Sequence, residues 1–366
     1  MQRLLFIGTS FNNLRGGAEK SIFHLLSSIR KEYYIEAVIF NNLKVKKTLK
    51  LNDITFHNYR LKIFPYFKYF TFFLNHFRIK KILKSYNEFD VFISQTYGGA
   101  YYLNTIKKIN PNAKTIFFVR DEVDLNIIKN YDIGFKRIYN KILDFIQFFF
   151  IQLYKKQTTF CLLNTNKIIA NSKFIHKLIE KLFCLKSTII YPTLVIQKNL
   201  PINPENRRYI TMVHSTPHKG INLFLKIAEE LRNENFCIYG SHPIKKKPSN
   251  VVFYRWINRS NIIYNNSKLV LIPSMWLEAF CRVAVEAACN FIPVLSSYRF
   301  GLIESNVNGI FINDDINKID AWIKKIKEIL DKPKFYVNKI DLSKFEKFKK
   351  KYQIMKFKEV LSELIG

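Results

Sequence analysis

The chain has 366 residues, 59 Lys and Arg against 28 Asp and Glu for a formal net charge of +31, and 16% aromatic side chains. Such a length fits two domains of about 150–200 residues rather than one core, and so much aromatic and apolar material excludes intrinsic disorder. Five cysteines (Cys161, Cys184, Cys237, Cys281, Cys289), with no CxxC or Cys/His cluster among them, exclude a disulfide scaffold and a structural zinc and suggest a reducing compartment.

The opening MQRLLFIGTSF lacks a small-residue cleavage site and is not read as a signal peptide. Short, continuous apolar runs follow at 4–8, 34–40, 91–95, 115–121, 167–172 and 187–192. They resume at 209–215, 236–240, 251–256, 268–274, 291–297 and 309–313. Continuous rather than alternating runs are what strands covered on both faces of a parallel sheet require. Helix-period segments separate them, with Ile22, Leu25, Leu26 and Ile29 forming one stripe and Leu223, Leu225, Ile227 and Leu231 another. The longest apolar stretch, 142–154, is broken by Asp144, Gln147 and Gln152 and falls short of the roughly 20 residues that span a bilayer.

Strand alternating with helix, twice over, predicts an α/β protein of two Rossmann-like, doubly wound domains facing across a cleft. The boundary falls in PTLVIQKNLPINPENRR (192–208), so the expected domains are 1–195 and 196–345. Residues 346–366 are expected to form a basic amphipathic helix that returns toward the first domain. Ligands in such sheets bind at the carboxyl ends of the strands.

Three segments carry candidate chemistry. GTSFNNLRGGAEKS places Gly16 and Gly17 before a helix, where backbone can approach an anion; a plain strand-to-helix turn is the alternative. STPHKG (215–220) places Lys219 before a helix, able to stabilise a diphosphate whose charge grows as a bond to it breaks; a solvated turn lysine is the alternative. In PSMWLEAFCRVAVEAACNFIPVLSS (273–297), Glu278 lies in the loop after a strand and Glu286 on the following helix. Backbone N–H groups near Phe280 and Cys281 would open that helix toward a phosphate. A capping role for Glu278 and a surface role for Glu286 remain open.

The chain resembles the family-4 retaining glycosyltransferases of the two-Rossmann-domain (GT-B) fold. The resemblance rests on GGAEKSIFHLL, IIANSKFI (168–175), HKGINLFLKIAEEL (218–231), FCIYG (236–240), VLIPSMWLEAFCRVAVEAACNFIPVLSS and GLIESNVNGIFI (301–312), in the family's order. It covers most of residues 1–315, with poor matches at 41–90 and 125–160. It implies a nucleotide-diphospho-sugar donor, an acceptor-binding first domain, a donor-binding second domain and no essential metal. Gly16 and Gly17 would lie against the diphosphate or the transferred sugar, and Lys219 would contact the diphosphate. Glu278 would bind sugar hydroxyls, Glu286 the ribose, with Phe280, Cys281 and Arg282 opening the helix beside them. Glu304 falls on a recurrent acidic position near the donor.

Three departures stand out. His214 occupies the place of a second phosphate-binding Arg, and Cys281 that of a frequent Gly. Where an acceptor-side His is common the sequence reads FFVRDEVD, which makes Arg120 and Asp121 candidates, with a structural ion pair as the alternative.

The charge is uneven. Leu43–Lys84 holds eleven basic residues and only Asp53 among acids, and within it 56–77 has ten aromatics in twenty-two positions. A second basic–aromatic segment is 134–156. Such interleaving suits an anionic membrane surface, with rings at headgroup level. The expectation is therefore a glycosyltransferase moving a sugar onto a glycan or lipid-linked acceptor in cell-surface polysaccharide or lipopolysaccharide synthesis, cytoplasmic and peripheral on the inner face of the plasma membrane. A nucleotide-sugar epimerase, a non-catalytic glycosyltransferase-like subunit and a single-stranded nucleic-acid-binding protein are the alternatives; no nucleic-acid partner is expected, since no RNP, KH or zinc-finger signature occurs.

Overall fold

A computed structural model describes residues 1–9, 17–41, 48–62, 70–96, 98–125, 141–194, 207–241, 243–244, 246–257, 260–307, 309–313 and 315–366. The chain divides into two compact units, Met1–Thr193 with Lys351–Gly366, and Leu194–Lys350.

The first unit is built on eight strands: β1 (Arg3–Gly8), β2 (Tyr34–Asn41), β3 (Thr48–Leu51), β4 (Ile54–Arg60), β5 (Val91–Gln95), β6 (Lys114–Val119), β7 (Lys167–Ala170) and β8 (Thr188–Ile189). They run β3-β4-β2-β1-β5-β6-β7-β8 across one sheet, parallel except for β3 against β4. Helices α1 (Gly17–Ile29), α2 (Phe70–Leu74), α3 (His76–Lys84), α4 (Gly99–Ile109), α5 (Lys141–Asn164) and α6 (Lys173–Phe183) intervene. The predicted strands are all present. Added to them is the β3–β4 hairpin, whose tip Asn52 and Asp53 both have positive φ, 48° and 60°. Two such residues suit the hairpin turn whose twist matches its strands.

The second unit has β9 (Tyr209–Val213), β10 (Asn235–Gly240), β11 (Val251–Arg255), β12 (Ser267–Ile272), β13 (Val294–Ser297) and β14 (Phe311–Ile312). Its order is β11-β10-β9-β12-β13-β14, all parallel. Its helices are α7 (Ile221–Glu230), α8 (Ser260–Asn265), α9 (Arg282–Cys289), α10 (Phe300–Ser305), α11 (Ile319–Asp331) and α12 (Pro333–Asn338). Both sheets thus use the doubly wound order in which connections reverse direction beside the first strand, at β1/β5 and at β9/β12. That reversal opens a crevice outside the strands' carboxyl ends.

Burial explains the patterning. Phe6, Ile39, Ile93, Ile116 and Phe118 join α1 in one core of the first unit, while Ile210, Phe236, Leu271 and Trp322 anchor one face of the second. Each such side chain contributes about 1.5–3 kcal/mol on leaving water. The final helix, α13 (Lys350–Ile365), places Phe357, Val360 and Leu361 in the first unit's core, with Phe357 5.7 Å from the Phe118 ring. Its buried Gln353 accepts the Tyr191 N–H at 2.8 Å, so the polar group inside that seam is satisfied. The apolar side of the predicted amphipathic helix therefore belongs to the first unit.

Candidate functional site

The reversal point of the second unit gathers most of the residues singled out in the sequence. Beyond β9, His214 takes a left-handed φ of 86°, donates its N–H to Tyr239 O at 2.7 Å, and stacks its ring on Trp256 at 5.0 Å. The chain then makes one tight turn over Pro217–Lys219 and enters α7 through Gly220 at φ 87°. A Cβ on Gly220 would lie 2.0 Å from Pro273 O, so only glycine lets this turn press onto the end of β12. Met275 N donates to His218 O at 2.9 Å, lacing the two loops together.

This close approach aims Lys219. Its Nζ lies 2.5 Å from Glu278 Oε1, which also accepts the Ser274 hydroxyl at 3.0 Å. The Glu278 carbonyl accepts the Gly301 N–H at 2.8 Å, and a Cβ on Gly301 would stand 2.0 Å from Ala279 O. Glycine at the start of α10 thus fixes the Glu278 loop from its other side, and Glu304 lies half-buried one turn later on that helix.

The charge balance here rests on Lys219. Burial lowers the His214 pKa to about 4, helped by Lys219 and His218 and opposed by Glu278. His214 is therefore neutral at pH 7, unlike the Arg expected at that place. Burial, with Glu278 nearby, pushes the Cys281 thiol up to about 12, so it stays protonated and unreactive. Cys281 precedes α9, and its N–H is directed at Ser305 Oγ over a long 3.3 Å. The amide expected to stand open toward a phosphate has a hydroxyl as its partner, because Ser305 on α10 packs under the helix start. Phe280 is buried against Phe348, with ring centroids 5.2 Å apart.

Glu286 sits on α9 between two donors. Arg282 Nη2 lies 3.1 Å from Oε1, and the buried Tyr264 hydroxyl donates to Oε2 at 3.1 Å. Burial, then Glu286, holds the Tyr264 hydroxyl well above the usual phenol range, so it remains a donor. Lys219, Glu278 and His214 form one group, and Arg282 with Glu286 a second. Cys281 lies within electrostatic reach of Glu278 and Lys219 on one side and of Tyr264 on the other.

The first-unit candidates are arranged differently. Gly17 opens α1, and Gly16 lies outside the described residues. Arg120 is buried beyond β6, donating Nε to Gln95 Oε1 at 3.0 Å and its N–H to Asp124 Oδ2 at 2.8 Å. Its carbonyl accepts the Asn171 amide at 2.6 Å, and its guanidinium lies 4.7 Å from the Phe118 ring centre. Asp121 Oδ1 accepts the Asp124 N–H at 3.1 Å. This network ties together the carboxyl ends of β5, β6 and β7. Asp124 is the member that sequence reasoning missed. Burial and the neighbouring Asp121 raise its pKa well above the carboxylate range. The spacing of Asp121 and Asp124, three apart in a turn, was the available clue. Among the described residues no group of three or more His, Cys, Asp or Glu is placed to hold a metal ion.

Residues 195–344 match the family model described as glycosyl transferases group 1. No curated protein sequence matches the chain. Solved structures similar to it include sucrose-phosphate synthase from Thermosynechococcus elongatus, with 13% identity over 100% of this chain and 99% of that one and a TM-score of 0.77. Anabaena HepE in complex with UDP and glucose is 14% identical over all of both chains, with a TM-score of 0.74. A glycosyltransferase from Rickettsia africae is 18% identical over 100% and 98% of the two chains, at 0.66. The fold is GT-B, and the likeness to GT-B glycosyltransferases expected from the motif blocks is borne out, the family model lying on the second unit.

Proposed function

We propose, from the match of residues 195–344 to the glycosyl transferases group 1 family model, that the protein moves a sugar from a nucleotide-diphospho-sugar to a glycan or lipid-linked acceptor with retention at the anomeric carbon. The Lys219–Glu278 ion pair at the β9/β12 reversal point carries this reading. A cation there would neutralise the leaving nucleoside diphosphate as its charge grows. Glu278, held by Lys219, Ser274 and the packed Gly301, has the rigidity to fix the hydroxyls of the transferred sugar. Glu286 would take the ribose, its carboxylate already oriented by Arg282 and Tyr264. The reaction needs no side-chain nucleophile in this scheme. Lys219 supplies the leaving-group charge stabilisation, so no metal ion is required of it.

HepE has been solved with UDP-glucose and a starch synthase with ADP, so the base of the donor is a question for experiment. Thermal stabilisation by a panel of UDP-, GDP-, ADP- and CMP-sugars identifies it, because a ligand that binds only the folded state raises stability. Transfer from the stabilising donor with retained anomeric configuration supports the reading. Epimerised donor without transfer would assign the fold to an epimerase, and binding without any turnover would make the chain a non-catalytic subunit. A basic first unit suits an acceptor pathway at the cytoplasmic face of the plasma membrane, building cell-surface polysaccharide or lipopolysaccharide.

A further inference from the structure

The helices over one face of the Met1–Thr193 unit leave apolar side chains outside its core. α5 is tied to α4, where Asn104 Nδ2 donates to Gln157 O at 2.7 Å, and the Gly98 N–H reaches the Tyr154 hydroxyl at 3.1 Å. α2 meets α5 through Phe70 and Phe73, whose rings lie 4.8 and 5.7 Å from that of Phe150. On the inward side of α5, Tyr154, Thr158, Cys161 and Leu162 are buried. On its outward side, Phe149, Lys156, Phe160 and Leu163 recur at helical spacing, and Phe149 and Leu163 remain 55% and 58% exposed. That strip runs for about 21 Å. Phe73 and Phe77, on α2 and at the start of α3, are 57% and 86% exposed.

Scattered exposed hydrophobics are ordinary, whereas a continuous strip marks an interaction surface. Here cations predominate on the helices that carry the strip. Residues 70–84 and 148–164 contain Arg78, Lys80, Lys81, Lys84, Lys155 and Lys156 and no Asp or Glu, the one acid on α2, α3 and α5 being Asp144 in the first turn of α5. The acids just beyond α3 are engaged by one residue: Arg3 pairs with Glu88 at 2.9 Å and donates its N–H to Asp90 at 2.7 Å.

We infer that this face docks on an anionic phospholipid surface, with Phe73, Phe77, Phe149, Phe160 and Leu163 entering the headgroup boundary and the surrounding cations meeting lipid phosphates. Aromatic rings settle at that depth while long basic side chains keep their charge in the interface. A folded protein partner would normally answer mixed charge with mixed charge and deplete it near the contact centre. Six cations around the exposed rings, with Asp144 the one acid on these helices, fit a uniformly anionic surface instead. Among the described residues no helix is long and apolar enough to cross a membrane, so this face supplies attachment from one side. The inference deepens the lipid-linked reading above but stands on the face itself, and its test reads binding without turnover.

The test is flotation of the full chain with vesicles of phosphatidylcholine alone or with about one-third phosphatidylglycerol. Binding to the anionic vesicles should be at least about tenfold stronger, and should fall as salt rises toward 0.5 M, roughly where exposed charges are screened. Lys80→Gln or Lys81→Gln should each cost about fivefold. The pair Phe77→Ser and Phe149→Ser should lose most binding while melting like the parent, since both side chains are exposed. A Phe77→Trp variant should be quenched by brominated lipid beyond the parent's background. Equal binding to neutral vesicles, no binding, parent-like binding by the double Phe variant, or quenching no greater than the parent's would overturn the inference. Tighter binding to single-stranded DNA than to anionic vesicles would reassign the face to nucleic acid and overturn it as well.

Discussion

The carboxyl ends of the two sheets share a strand order and treat charge in opposite ways. In the Leu194–Lys350 unit, Lys219 keeps a quarter of its side chain in water while its partner Glu278 is 8% exposed, two loops being pressed together by glycine to make the pair. In the Met1–Thr193 unit, Arg120 and Asp124 are turned inward and spend their hydrogen bonds on Gln95, Asn171 and the local backbone. A partly exposed cation can exchange part of its partner for a ligand phosphate. A buried one must first be taken apart, and breaking a buried network is strongly unfavourable. The same topology thus holds a partly exposed ion pair in one unit and a buried brace in the other.

Removing the exchangeable charge should have the largest effect. Lys219→Ala or Glu278→Ala is expected to lower transfer from the stabilising donor by on the order of a hundredfold or more. If the two act as one device, the double variant should be little worse than the poorer single one. Near-normal turnover in either single variant removes that residue from the scheme.

Next in size is the backbone that aims the pair. Gly220→Ala puts a Cβ 2.0 Å from Pro273 O at φ 87°, and should cost about 2–3 kcal/mol of second-unit stability. Gly309→Ala is the control: its φ of 71° is comparable, yet the nearest atom to its Cβ is 3.6 Å away. Chemical denaturation of both variants separates close approach from backbone strain. If the two are equally destabilised, the pressed loops are not what glycine is needed for.

These glycines show what the sequence makes legible. Buried parallel strands appear as continuous apolar runs because both faces are covered, so strands such as β1, β9 and β12 could be read from the order of apolar residues alone. The β3–β4 hairpin was not, since its strand at the sheet edge is exposed throughout and interrupts the apolar rule. Lys219 and Glu278 were legible as residue types at the right strand ends. Their pairing was not, because it depends on Gly220 meeting Pro273, a contact between segments more than fifty residues apart. Nor could the aromatics between 56 and 77 be sorted. Phe56 is buried in the sheet core and Phe72 against Tyr101, Tyr102 and Tyr154, while Phe73 and Phe77 are exposed, and only this tertiary packing decides which.

The brace in the first unit yields a smaller effect of opposite sign. Asp124 has a raised folded pKa, so its stabilisation is full below the unfolded carboxylate value and is lost as pH rises. Asn keeps an acceptor for the Arg120 N–H without a charge to bury. Asp124→Asn should therefore stabilise the first unit by on the order of 1 kcal/mol at pH 7, and the gain should vanish near pH 4. Denaturation across that range checks it. A variant less stable than the parent at pH 7 would mean that the carboxylate is ionised and needed.

The smallest effect sharpens the comparison from the side of the partly exposed pair. His214 is neutral because burial and Lys219 hold its pKa near 4. Its contribution to stability is present above the unfolded histidine value and is lost as pH falls toward that lower figure, between about 6.5 and 4. Donor binding should accordingly show no histidine inflection from about pH 6 to 8, measured with a nucleotide sugar whose diphosphate charge is constant there. His214→Arg restores a permanent cation, keeps a Cβ at the same left-handed backbone, and can stack its guanidinium on Trp256. It should tighten donor binding severalfold, less than Lys219 contributes, because the new charge pays desolvation at a site that now holds a neutral ring. An unchanged or weaker affinity would place His214 outside reach of the diphosphate and leave Lys219 as the charge on which donor binding turns.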